Sequence, residues 1–193
     1  LLADGDFVVV GTTEGEFDGD DIFAARIHGT TQEVEWEILQ DGPGMGPGDN
    51  DDADFGGAIT ADADGNVYIT GSLRVGPLDW DIFVGKYDDT GAEVWQATYT
   101  GDFGGGDFGR GIIVDAEGTT WVAATEEVED GESNGLVLAF DVDGMPVDAD
   151  TQVLDFSPNS IEIDPDGNFV ILGDGEPADT FFDTVSYTHL RAH

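Results

Sequence analysis

A chain of 193 residues with five basic and 43 acidic side chains carries a formal charge of −38. That field repels nucleic-acid phosphates and anionic lipid headgroups, and no nucleic-acid partner is expected. The absence of cysteine excludes disulfides, thiolate metal sites and thiol nucleophiles. The longest unbroken apolar run, Leu136–Phe140, is far shorter than the roughly 20 residues a membrane-spanning helix needs. The acids are spread along the whole chain, as on a solvated surface screened by salt. Such a surface also attracts divalent cations and basic proteins.

Taken in order, the chain repeats itself. Four stretches align: "LADGDFVVVG" (2–11), "DADGNVYITG" (62–71), "DAEGTTWVAA" (115–124) and "DPDGNFVILG" (164–173). Their shared glycines, Gly5, Gly65, Gly118 and Gly167, are spaced 60, 53 and 49 residues apart. Each stretch is followed by a second anchor: "DDIFAARI" (20–27), "WDIFVGKY" (80–87), "NGLVLAFD" (134–141) and the weaker "DTFFD" (179–183). A third anchor is "DFGGAITAD" (54–62), "DFGRGIIVD" (107–115) and "SPNSIEID" (157–164). Recurrence of three anchors in one order defines units near 2–61, 62–114, 115–163 and 164–184.

Each unit holds four short runs rich in β-branched and aromatic residues. In the second unit they are Val67–Thr70, Asp81–Tyr87, Val94–Tyr99 and Gly111–Val114. Asp-Gly turns separate them, and no helical period is sustained. Gly71 reads as the end of its strand, and the four shared glycines read as sheet boundaries. Several runs are apolar on both faces: Ile22 and Ala24 opposite Phe23 and Ala25, and Leu136, Leu138 and Phe140 opposite Val137 and Ala139. Such strands need cover on both sides. The expected fold is all-β: an incomplete β-propeller of four-stranded antiparallel blades, about three blades and part of a fourth, over residues 1–184.

The pattern "DADGNVYITG … DIFVGKY … GAEVW … DFGRGIIVD" across 62–115 resembles the bacterial β-propeller repeat called the SBBP repeat. It is similar to repeats of marine myxobacterial surface lipoproteins. The third unit departs from the pattern, with Ala124 for glycine and "SPNSIEI" for "DFGRGIIV". The resemblance implies a secreted or cell-surface location and no catalytic residues. The expected role is a non-catalytic scaffold in a larger protein, joined to further blades and presenting loops to a protein, glycan or cation. The alternative is part of a quinoprotein-like or hydrolytic propeller enzyme whose active site lies elsewhere in sequence. "DDTGAEVW" (88–95) resembles the turn-and-Trp element of quinoprotein-like propellers, in which the Trp packs between blades; "TTQEVEW" (30–36) is a looser copy.

Few residues offer chemistry. Four carboxylates crowd one Gly/Pro-rich loop: Asp49, Asp51, Asp52 and Asp54 are the candidate calcium ligands, against the competing reading of a solvated loop. No other cofactor is indicated. "DADGN" and "DPDGN" place glycine too early for an EF-hand and read as turns. "GDFGGGDFG" (101–109) has neither the lysine nor the following helix of a phosphate loop. His28 aligns with Asp88 and reads as a turn residue. The last nine residues, "VSYTHLRAH" (185–193), contain no Asp, Glu or Gly and look like the translated transposase-end adapter of a sequencing library. They are read as a non-native tail, and the chain as cut within its fourth unit and begun downstream of its natural start.

Overall fold

The computed structural model describes residues 2, 4–14, 19–43, 53–147 and 151–174. Asp49, Asp51, Asp52, the 179–183 anchor and the tail 185–193 lie outside them. The described chain is all-β, with one turn of 3-10 helix at Glu129–Gly131. None of its helices is long and apolar enough to cross a membrane.

Among the described residues thirteen strands form four antiparallel sheets. The first sheet orders β1 (Phe7–Glu14), β2 (Asp20–Ile27) and β3 (Val34–Gln40). The second orders β4 (Phe55–Ala61), β5 (Val67–Gly76), β6 (Asp79–Tyr87) and β7 (Glu93–Tyr99). The third orders β8 (Phe108–Val114), β9 (Thr120–Glu127), β10 (Ser133–Phe140) and β11 (Gln152–Leu154). The fourth pairs β12 (Ser157–Ile163) with β13 (Phe169–Asp174).

β10 is covered on both of its apolar faces, as expected, whereas on β2 the face of Ile22 and Ala24 is the one that joins a core with another sheet. Ile22 and Ala24 of the first sheet share a core with Val67, Ile69, Phe83 and Tyr87 of the second. The opposite face of the second sheet, Tyr68, Ile82, Val84 and Trp95, packs on Val122, Leu136, Leu138 and Phe140 of the third. The third sheet turns Trp121, Val137 and Ala139 to Ile161, Phe169 and Ile171 of the fourth. Alternation along the central strands of the second and third sheets thus feeds two separate cores.

Two expectations need correction. The shared glycines are not sheet boundaries. Gly65, Gly118 and Gly167 sit in hairpins inside a sheet, between β4 and β5, β8 and β9, and β12 and β13. The "DFG" strand opens the following sheet, so sheet and repeat are out of phase by one strand. Gly71 does not end its strand either: β5 runs on to Gly76. A Cβ at Gly71 would lie 2.2 Å from the Phe55 carbonyl oxygen, so glycine is there for close approach, not for termination.

The first strands of successive sheets meet through glycine. A Cβ at Gly56 would stand 2.3 Å from the Gly11 oxygen, and one at Gly57 would stand 2.1 Å from the Gly109 oxygen. Gly111 faces the Ser160 and Ile161 backbone in the same way. β1, β4, β8 and β12 are thereby brought almost backbone to backbone. The register slips once on each later strand of this series, between Gly56 and Ala58, Gly109 and Gly111, and Pro158 and Ser160. These bulges leave Gly57, Arg110 and Asn159 without a cross-strand partner.

A tryptophan joins each of the first two sheets to the next. Trp36 on β3 donates its Nε1–H to the Asp89 carbonyl at 3.2 Å, and its ring covers Gly91. Trp95 on β7 donates to the Val142 carbonyl at 3.1 Å and covers Gly144.

The Pro77-Leu78 link between β5 and β6 holds Leu78 at φ 61° with its side chain 75% exposed. A left-handed backbone costs an L-residue roughly 1–2 kcal/mol, partly offset by the extra unfolded-state entropy of glycine. Leu78→Gly is therefore expected to stabilise the fold by about 0.5 kcal/mol in urea denaturation.

Candidate functional site

The repeated aspartates are occupied as turn anchors. Asp62 Oδ1 accepts from the Asp64 and Asn66 amides, and Oδ2 accepts from the Asn66 side chain and the Tyr68 hydroxyl. Burial opposes ionisation of Asp62, yet these donors more than offset it and hold its pKa below the ordinary value. Asp88, Asp115, Asp141 and Asp164 each accept two backbone amides in the same pattern. His28 does this work in the first sheet: its Nδ1 accepts from the Thr30 and Thr31 amides at 3.1 and 3.2 Å. A neutral imidazole can copy the carboxylate there, and the turn is one residue longer.

Of the four loop carboxylates singled out in the sequence, only Asp54 is described. It is 1% exposed and lies beside Asp21 and Asp41, all three offering an oxygen within 4.8 Å of one another. This trio has the oxygen donors a divalent cation uses. Asp54 already has a structural task, however. Its Oδ2 accepts from the Gly42 amide at 2.6 Å and its Oδ1 from the Arg74 amide at 2.7 Å. Asp107 repeats the latch in the next sheet, accepting from Gly101 at 2.6 Å and Glu127 at 3.0 Å. There Thr100 takes the place of Asp41 and donates to Asp81 Oδ2 at 2.8 Å. Since the latch recurs where the third carboxylate is a hydroxyl, it does not require an ion.

Burial raises the Asp107 carboxyl to about 6, against the pull of the Gly101 and Glu127 amides, with the charges of Glu126 and Asp81 adding to the rise. Burial raises Asp81 as well. A folded-state pKa above the ordinary value of 3.8 means that the folded protein binds the proton more readily than the unfolded chain. The stabilisation from this group is complete below about pH 4 and is lost as pH rises through about 6. Asp88 and Asp164 act oppositely. The Thr90 hydroxyl and the Asn168 side chain hold their pKa values low, so their support is present at neutral pH and disappears in acid. The melting temperature is therefore expected to rise from pH 7.5 to a maximum near pH 5 and to fall below about pH 4. Asp107→Asn should flatten the rise between pH 7 and 5, whatever its effect at any single pH.

A cavity of about 480 Å³ opens where β1, β4 and β8 meet. Its aromatic wall comes from Phe55 and Phe108, the first residues of β4 and β8, and from Trp80 on β6. Trp80 and Phe108 are stacked with centroids 6.1 Å apart, and Phe55 lies 6.4 Å from each. The Arg74 guanidinium covers the Trp80 ring at 5.4 Å, and the indole N–H is held by the Ala53 carbonyl. Phe55 remains 41% exposed. Thr12 and Ser72 supply hydroxyls, and glycine backbone forms much of the remainder. Arg110, freed by its bulge, stands 4.9 Å over the Phe108 ring and lines the same cavity. Sequence reasoning missed this site, because its parts lie far apart in the chain and the bulge is not visible in "DFGRGIIV".

No family model matches the chain, and no curated protein is similar to it in sequence.

Proposed function

We propose that this chain is a segment of a β-propeller, secreted or displayed at a cell surface, acting as a non-catalytic scaffold. Its sheets are the blades, and its loops and the spaces between blades receive a protein, a glycan or a cation. The observation that carries this reading is the layering: the second and third sheets each bury both faces against their neighbours, in chain order. Glycine contacts between successive first strands support an axis on which those strands converge. The surface location rests on the likeness of 62–115 to SBBP-type repeats. The stretch 185–193 is proposed to be adapter-derived and to take no part in function.

Appending further copies of the 54–106 unit tests the reading. Propellers close with 4–8 blades. Small-angle scattering should show the particle becoming a compact disc at one blade number. A radius of gyration that grows steadily with every added unit would contradict closure.

A further inference from the structure

We propose that the cavity between β1, β4 and β8 binds the ring of an acidic sugar, its carboxylate on Arg110 and its C–H face on Phe55. The volume of about 480 Å³ falls within the range of small-ligand sites. Three features define the ligand. The first is charge. Arg110 is exposed, and among the described residues its guanidinium has no acidic or hydrogen-bonding partner, only the Phe108 face. That is unusual in a chain with 43 acids, and the residue lies at a β-bulge among the groups that line the cavity. A bidentate carboxylate is what a guanidinium fork recognises. The overall charge of −38 disfavours a polyanion, so one carboxylate fits and a phosphorylated polymer does not.

The second feature is polarity. Ser72 is 1% exposed and lines the cavity, with a hydroxyl able both to donate and to accept. Thr12 Oγ1 accepts from the Gly56 amide at 3.2 Å and keeps its own proton to donate. Two hydroxyls beside a cation suit a ligand with several hydroxyls of its own. The third feature is the shape of the aromatic wall. One face of Trp80 is covered by Arg74 and another ring contact is made by Phe108, so no slot between parallel rings is left for a flat aryl ligand. The open surface of Phe55 suits the thicker C–H face of a sugar. This assignment rests on the binding-scaffold reading but not on ring closure, since every group named belongs to the first three sheets.

Titration calorimetry and ligand-detected NMR with D-glucuronate, D-glucose and benzoate test it on the intact chain. Glucuronate should bind saturably, and at least tenfold more tightly than glucose. Arg110→Gln should weaken glucuronate at least tenfold and leave glucose and the melting temperature unchanged. Ser72→Ala should weaken both sugars. Tighter binding of benzoate than of glucuronate would make this an aryl-carboxylate site and overturn the sugar assignment. Undiminished binding by Arg110→Gln, or no saturable binding of any probe, would overturn the site itself. In either case the closure experiment would still report independently on the propeller reading.

Discussion

Gly57→Ala is expected to cost at least about 3 kcal/mol, at the upper end for overpacking, and to leave little folded protein at 37 °C. The added methyl would sit 2.1 Å from the Gly109 carbonyl oxygen and 3.2 Å from that of Thr70. Both obstacles are backbone, so no rotamer change relieves them. Relief requires β4 and β8 to separate, and that opens the core between the second and third sheets. Gly131→Ala is the control, since nothing lies within 4 Å of its Cβ position and only its φ of 76° resists the change. It should lose only about 1 kcal/mol. Urea denaturation of both variants measures the difference. A loss at position 57 no greater than at position 131 would mean that the first strands do not meet as described.

Trp95→Ala is expected to lose about 3–4 kcal/mol. The indole is 8% exposed, lies edge-on to Tyr68 with centroids 6.3 Å apart, and covers Gly144. Its N–H bond to Val142 ties β7 to the hairpin after β10, so its loss affects two sheets at once. Trp95→Phe should recover most of the packing and lose the hydrogen bond, about 1 kcal/mol. The equivalent Trp36→Ala should cost less, because Trp36 is only partly buried.

What could be read in the sequence follows from how local its physics is. Runs such as Leu136–Phe140 are apolar at every position, and that alone required a layer on each side. The Asp-Gly turns were equally legible, because Asp62 and Asp164 bond within their own turn. The phase of the sheets was not legible in the sequence, because link length does not mark it. The link from Phe140 to Gln152 stays within a sheet and is longer than the one from Tyr99 to Phe108 that changes sheet, and the short link from Leu154 to Ser157 also changes sheet. Gly71 misled because a glycine that ends a strand and one that admits a neighbouring backbone look alike in sequence. The calcium reading centred on four adjacent carboxylates, while the structure gathers Asp54 with Asp21 and Asp41 from other segments. Arg26 was equally hidden. It lies nearly buried on β2 and pairs with Asp6 at 2.9 Å and Glu35 at 3.0 Å, while donating to the Asp89 carbonyl of the second sheet.

Cross-linking measures the order of the sheets directly, and the absence of native cysteine makes introduced thiols unambiguous. Gln96 on β7 donates to Gln40 on β3 at 2.7 Å, across the first and second sheets. Gln152 lies on β11, one sheet further on. With a short bismaleimide, the Gln40→Cys, Gln96→Cys pair should link rapidly within one molecule, and denaturation in urea should abolish its advantage. The Gln40→Cys, Gln152→Cys pair should link slowly or not at all. Equal rates for the two pairs in the folded protein would contradict successive stacking of the sheets.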